Sequence, residues 1–358
     1  MIIDFHQHYL PERPSYPGEV AQHWLYADSR IQGYRDVGRL LADMDEAAVD
    51  QVVWQGEYLV AGQHCRQRNM LVREACRAAP HRLAAYASLQ PNDADAIEAL
   101  KAALDAGFVG VGELNPAAQH FSMRDQNARR LFEYCAQWAI PVLIHVNEPV
   151  GPAYMGKTRT PLLSAYEIAA RYPELPIILA HWGGGLWWYE QIPAVQRVLK
   201  NVWYDTAASF FTYPNTPLMA QMAALVVPDK IVFGSDYPLH PVAHPEGWLR
   251  LWTDTMRQAC PATCAQAWMG GNAARLLMPA WRTDPRPTVV GQQLPLTAAT
   301  PIMVIAEEWP ERFAILERWG ISCTELTPWW QTIAHALSES GHGPEIFERV
   351  MADVTEGL

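Results

Sequence analysis

The 358 residues carry 27 basic and 38 acidic side chains, a net charge of -11, and half of them are apolar. That composition supports a sizeable core and argues against nucleic acid as a partner, which calls for a basic face. No run of about 18 apolar residues reads as a membrane span, and His6 opens the polar chemistry too early for a signal peptide, so a cytoplasmic chain is expected.

The first stretch, IIDFHQH at 2–8, reads as a strand. Alternation places His6 and His8 on one face, with Ile3, Phe5 and Gln7 on the other. Two imidazoles side by side at a strand end make half of a metal site. Residues 9–35 form a loop without periodicity, long enough to be functional. A helix is expected at 37–47, with Leu40, Leu41 and Met44 on one stripe, then a strand at 49–54 and a helix at 65–79 stopped by Pro80.

The alternation continues. Strands are expected at 83–89, 108–113, 141–146, 177–181, 202–206 and 230–235. Helices fall between them at 94–106, 126–139, 162–171, 186–199 and 217–226, and two more close the series at 245–258 and 262–278. The strands lack polar alternation, as in a parallel sheet covered on both faces. Eight βα units over about 280 residues predict an α/β chain folded as a closed (β/α)8 TIM barrel. An open doubly wound sheet fits less well, because no Gly-x-Gly-x-x-Gly turn follows an early strand.

Residues 1–280 would then be the barrel, and the proline-bearing 281–300 a linker or strap. Residues 301–358 would form a small C-terminal helical appendage. At that size the appendage is expected to pack on the barrel or on a partner chain, which leaves a homo-oligomer open. The cysteines, Cys65, Cys76, Cys135, Cys260, Cys264 and Cys323, form no Cys-x-x-Cys pair and read as reduced thiols.

Residues at the C-terminal ends of parallel barrel strands converge on one mouth. Those positions are His6 and His8, Glu113 in GVGELNP, His145 in LIHVNEP, His181 in LAHWGGG and Asp236 in FGSDYP. Singly, each has an ordinary reading: a core histidine, a salt-bridged glutamate, a helix-capping aspartate. Together, four imidazoles and two carboxylates at one mouth would be left unpaired without a cation. Imidazole with carboxylate suits zinc, manganese or iron better than magnesium or calcium.

These segments, with the closing MGGNAARLL at 269–277, resemble the amidohydrolase superfamily, specifically its amidohydrolase-2 (ACMSD-like) group, over about residues 1–280. The resemblance implies a metal-dependent barrel with His6, His8, His145 and Asp236 as ligands and His181 as ligand or acid/base. Glu113 departs from the mononuclear pattern and resembles the bridging glutamate of TatD-like relatives. With Glu113 bridging, His6, His8 and Asp236 hold one ion, and His145 and His181 a second about 3.5–4 Å away. The other arrangement leaves Glu113 orienting a histidine. The sequence reading leans to two ions, with zinc first.

The expected activity is hydrolysis of a small carboxylated lactone, amide or related C–O or C–N bond by a metal-bound hydroxide, with Asp236 and His181 moving the proton. The alternative is non-oxidative decarboxylation of an aromatic or semialdehyde carboxylate, which the group also performs. A catalytically silent scaffold is the third reading. The partner is a small molecule.

Trp54, Trp182, Trp187, Trp188 and Tyr189, then Phe210, Phe211 and Tyr213, follow strand ends and are candidates to line the mouth. Arg124, Lys157 and Arg159 could bind a substrate carboxylate but singly read more readily as exposed solvated charges, and His240 and His244 could be rim acids or loop residues. Gly183–Gly185 could offer N–H groups to an anion or form a tight turn. Asp4 could support His6 from below or, equally, be a satisfied core carboxylate.

Overall fold

A computed structural model describes residues 1–10, 36–151, 153–154, 156–159, 162–212, 221, 225, 228–239, 247–277, 296, 300, 302, 305–306, 309–323 and 331–356. The expected loop from 11 onward, most of the 217–226 helix, nearly all of the 281–300 strap, and Tyr213, His240 and His244 lie outside them. The chain divides into two compact units, Met1–Gly291 and Gln292–Leu358.

The first unit is built on eight parallel strands: β1 Ile3–Gln7, β2 Gln51–Trp54, β3 Leu83–Ala85, β4 Val111–Leu114, β5 Val142–Ile144, β6 Ile177–Leu179, β7 Val202–Asp205 and β8 Ile231–Val232. Neighbours pair in chain order within β1–β3 and within β4–β8. Parallel bridges Ala87 to Val111 and Gln7 to Tyr237 join the two sets. Backbone bonds from Phe5 N to Phe233 O (2.8 Å) and His8 N to Tyr237 O (2.7 Å) close the ring. The expected TIM barrel is what forms.

Helices follow the strands: α1 Val37–Ala47, α2 Gly62–Cys76, α3 Ala96–Asp105, α4 Gln126–Trp138, α5 Leu162–Arg171, α6 Pro193–Val198, α7 Trp248–Ala259 and α8 Asn272–Leu277. Asp36 caps α1 by accepting the N–H of Gly38, as a short polar side chain does at a helix start. The helix expected at 186–199 is broken: a 3-10 turn, Leu186–Gln191, precedes α6, which Pro193 opens from an extended Ile192. Proline lacks the N–H that a continuous helix would need there, but it suits a first turn.

Strand side chains sort into two apolar layers, as the period of two dictates. Val52, Trp54, Val142, Ile144, Ile177 and Leu179 pack outward with helix residues such as Leu40, Met44, Leu131 and Phe132. Ile3, Phe5, Val53, Tyr86, Leu143, Ile178 and Val232 fill the barrel, joined by Ala273 and Leu276 of α8.

A buried ion pair joins Lys230 and Glu190. Lys230 donates to Glu190 and to the carbonyl of Leu199 (2.8 Å), while Tyr204 OH also donates to Glu190. Removing one partner of such a pair leaves an uncompensated buried charge. Lys230→Ala is therefore expected to lower unfolding stability by about 3–5 kcal/mol, read from denaturant melts.

In the second unit, α9 Pro310–Arg318, α10 Ile333–Glu339 and α11 Pro344–Glu356 enclose a small core that includes Leu316, Ile333, Leu337, Val350 and Val354. Thr332 and His335 form a reciprocal cap at the start of α10.

Candidate metal centre

The site starts from an irregularity in β1. Asp4 pairs with Val52 and Gln7 with Trp54, so three steps on β1 oppose two on β2. Such a bulge re-aims the residues that follow. It corrects strict alternation: Ile3 and Phe5 fill the barrel, and beyond the bulge His6 and His8 still bring their Nε2 atoms within 3.2 Å of each other. Asp4 falls on the other side of the bulge. It accepts from Gln7 Nε2 (2.6 Å) and Ser235 N (2.9 Å), a satisfied core carboxylate whose pKa burial pushes up to about 6.

Two other segments fold tightly to reach the mouth. After β6, His181 (φ 54°) and Trp182 (φ 58°) turn left-handed, and Gly183–Gly185 continue with positive φ. A Cβ on Gly183 would sit 2.6 Å from the Tyr204 ring. The N–H groups of Gly184 and Gly185 bond back to His181 O and Trp182 O. The glycines thus make a tight turn. Asp236 is also left-handed (φ 63°), held by its N–H to His6 O at 2.8 Å. Non-glycine residues in that conformation cost about 1–2 kcal/mol each and concentrate at functional sites.

All six strand-end residues are buried at this mouth. In one group, His6 Nε2 lies 3.6 Å from Glu113 Oε2 and 3.7 Å from Asp236 Oδ1, while His8 Nε2 lies 3.6 and 3.2 Å from the same two atoms. With the 3.2 Å between the imidazoles, these five separations lie near the roughly 3.3–3.6 Å expected between ligand atoms about 2.0–2.2 Å from a shared ion. Among the described residues, Glu113 Oε2 and Asp236 Oδ1 have no hydrogen-bond partner.

Glu113 turns its other oxygen to the second group. Oε1 lies 2.7 Å from His145 Nδ1 and 3.7 Å from His181 Nε2, and the two imidazole nitrogens are 3.3 Å apart. Each ring's far nitrogen faces an acceptor: His145 Nε2 meets Asn147 Oδ1 at 2.8 Å, and His181 Nδ1 meets Ala207 O at 3.2 Å. Asn147 Oδ1 also accepts the N–H of Thr158 (2.8 Å), which marks that atom as the oxygen. Both nitrogens of His145 face oxygen acceptors, so that ring donates twice, whereas His181 donates through Nδ1 and presents a lone pair at Nε2. Glu113 Oε1 and His181 Nε2 thus aim acceptors at the place the His145 Nδ1 proton holds, which a cation would take. The residues fit a cation.

Electrostatics say the same. Burial opposes charge on all of these groups. Even so, Asp205 and Glu113 hold His6 well above the usual imidazole range, and Glu113 holds His145 above it. The surrounding histidines hold Glu113 well below, and Asp236 below, the usual carboxylate range. Burial and His145 keep His181 below its ordinary value. A raised imidazole pKa means the ring is protonated up to a higher pH, and a cation must displace that proton. Metal binding is expected to release protons and to strengthen as pH rises. Calorimetry in buffers of different ionisation enthalpy checks this, and a pH-independent affinity would contradict it.

The aromatic candidates mostly serve packing. Trp182 meets Trp268 edge-on and donates to Ser209, Phe210 packs on Trp248 and Trp252, and Trp54 stacks on Tyr9. Trp187 is buried, and Trp188, Tyr189 and Phe211 are about half exposed. A ring not foreseen from the sequence, Tyr58, lies 5.6 Å from that of His145. Arg124 forms a paired contact with Glu167, Lys157 bonds Glu148, and Arg159 is exposed. Asp205 and Asn147 were also passed over. Asp205 carries the signal that marked the others, a polar residue ending an apolar strand.

The amidohydrolase family model matches residues 3–278. The chain belongs to the amidohydrolase family.

This amidohydrolase is 25% identical over 236 residues to the γ-resorcylate decarboxylase of Rhizobium radiobacter, covering 52% of the chain and 69% of that relative. Its fold is similar to that of the 5-carboxyvanillate decarboxylase of Sphingomonas paucimobilis, with a TM-score of 0.60 at 17% identity over 78% of this chain and 99% of that one. It is also similar to a dihydroxybenzoic acid decarboxylase of Polaromonas sp. JS666, crystallised with manganese and the inhibitor 2-nitroresorcinol, with a TM-score of 0.57 at 17% identity over 77% and 96% of the two chains. At that identity the two structures establish the barrel alone. Among the described residues, no helix is long and apolar enough to cross a membrane.

Proposed function

We propose that this amidohydrolase is a metal-dependent decarboxylase of small hydroxylated aromatic carboxylates. The observation that carries the proposal is a mouth whose buried side chains offer acceptors to a cation, in a chain whose curated relatives release CO2 from γ-resorcylate. The strand-end residues alone favoured hydrolysis, and the relatives favour the alternative.

His6, His8 and Asp236, with Glu113 Oε2, would hold one divalent ion, for which zinc, manganese and iron all suit the donor set. The ion, when bound, would act as a Lewis acid toward the substrate's carboxylate and an adjacent oxygen. In the reaction the bond between ring carbon and carboxylate breaks, its electron pair stays on the ring carbon, and one proton completes a new C–H bond as CO2 leaves. Asp236 directs one oxygen into the donor group and has a second to carry that proton. His181, anchored through Nδ1 to Ala207 O, keeps Nε2 toward the site as the partner in proton relay. The ring of Tyr58 beside His145 offers a flat apolar wall for an aromatic substrate.

Hydrolysis remains the second reading for one reason. Glu113 presents one oxygen to each donor group, an arrangement suited to two ions sharing a carboxylate. Incubating the metal-replete protein with γ-resorcylate, 5-carboxyvanillate, lactones and cyclic amides separates the two. CO2 release matching loss of an aromatic carboxylate is expected; ring opening without CO2 would overturn decarboxylation.

A further inference from the structure

Asp205 ends β7, is fully buried, and divides its carboxylate between two parts of the site. Its Oδ2 lies 2.7 Å from His6 Nδ1. Its Oδ1 accepts the backbone N–H of His181 at 2.9 Å and of Ala207 at 3.0 Å. Ala207 in turn offers its carbonyl to His181 Nδ1 at 3.2 Å. One side chain on one strand end therefore touches His6 from β1, the left-handed backbone of His181 after β6, and the residue that holds the His181 ring.

The chemistry of these contacts is directional. A carboxylate only accepts, so His6 Nδ1 must donate to it, and the lone pair of the ring is left on Nε2. That is the atom facing His8, Glu113 and Asp236. A hydrogen bond on the far nitrogen of an imidazole fixes its tautomer and orientation as a metal ligand. The His181 backbone (φ 54°, ψ 53°) is strained for a non-glycine residue and persists only where its surroundings hold it. Asp205 Oδ1 supplies such a hold at the N–H.

We propose that Asp205 is a positioning residue. It commits His6 to binding a cation through Nε2 and seats His181 at the same time. This rests on the metal centre described above and does not depend on which reaction the centre performs.

Asp205→Asn tests it sharply. The two backbone N–H groups at the Oδ1 position require an oxygen there, so the amide NH2 must fall opposite His6 Nδ1. An NH2 group donates, which drives the ring proton onto Nε2 and removes the lone pair from the site. The variant is expected to bind zinc about 10–100-fold more weakly, measured by chelator competition on metal-free protein without substrate.

Long-range 1H–15N spectra of zinc-loaded wild type, with His6 assigned through His6→Gln, are expected to show the proton on Nδ1. This second measurement needs no folded Asp205 variant. Wild-type zinc affinity in Asp205→Asn, or a zinc-loaded His6 with no proton on Nδ1, would overturn the role. Failure of the wild type itself to bind zinc would overturn the metal centre and this role together, and it is told apart from a loss confined to the variant.

Discussion

Asp236→Asn is expected to lower turnover by about 10²–10⁴-fold, the range of a lost acid/base group, with the fold intact. The substitution keeps the size and shape of the side chain. It also keeps the backbone at ease, because Asn tolerates a left-handed conformation as readily as Asp, and Asp236 sits at φ 63°. The N–H bond from residue 236 to His6 O survives unchanged. What is lost is the negative charge of Oδ1, 3.2 Å from His8 Nε2 and 3.7 Å from His6 Nε2, and the oxygen that would carry the proton. Kinetics of CO2 release, run beside a thermal melt, check both halves. Equal turnover by the variant would remove Asp236 from the chemistry.

Glu113→Gln has the second large effect, and it divides the two activities. Glu113 is buried against four imidazoles, with His6 and His8 on Oε2 and His145 and His181 on Oε1. If one ion serves decarboxylation, the wild type holds about one ion per chain. Gln then removes the charge of one donor, Oε2, and weakens binding by at least the roughly 10–100-fold that losing even an outer carboxylate brings. If two ions serve hydrolysis, the wild type holds about two, and Gln reduces the count to one. Elemental analysis of protein dialysed against buffered metal reads the number directly. We expect one ion per chain.

The strand-end residues that meet at the mouth were legible because a polar residue is uncommon in a buried parallel strand. A histidine or carboxylate that ends a run such as PVLIH or IILAH stands out against its neighbours. The barrel was legible for a related reason, since the strand–helix alternation is carried by local apolar patterns. What the sequence hid depends on backbone detail. The bulge between Asp4 and Gln7 is set by pairing with β2, and no residue type in IDFHQ announces it. The left-handed run at His181 and Trp182 is fixed by tertiary contacts; only the glycines after it gave a sign. Arg124 looked free to meet a substrate because Glu167, its partner, lies 43 residues away in the chain. Tyr58 carried no signal, because an aromatic two residues past a glycine in a loop is common.

The expected helix at 186–199 divides for a plain reason: Pro193 suits a first turn and opens a second helix. Asp205 is the more instructive omission. It obeys the same rule as Asp236, a carboxylate closing an apolar strand, but its contact is with a histidine's outer nitrogen rather than the mouth.

His6, His8, Glu113 and Asp236, from three strand ends, are expected to hold one divalent cation. Anomalous diffraction from crystals soaked in manganese or zinc, recorded on both sides of the metal's absorption edge, tests it most directly. The expected peak lies among His6 Nε2, His8 Nε2 and Asp236 Oδ1. A map in which metal binds only elsewhere, while these atoms hydrogen-bond to ordered water, would contradict it.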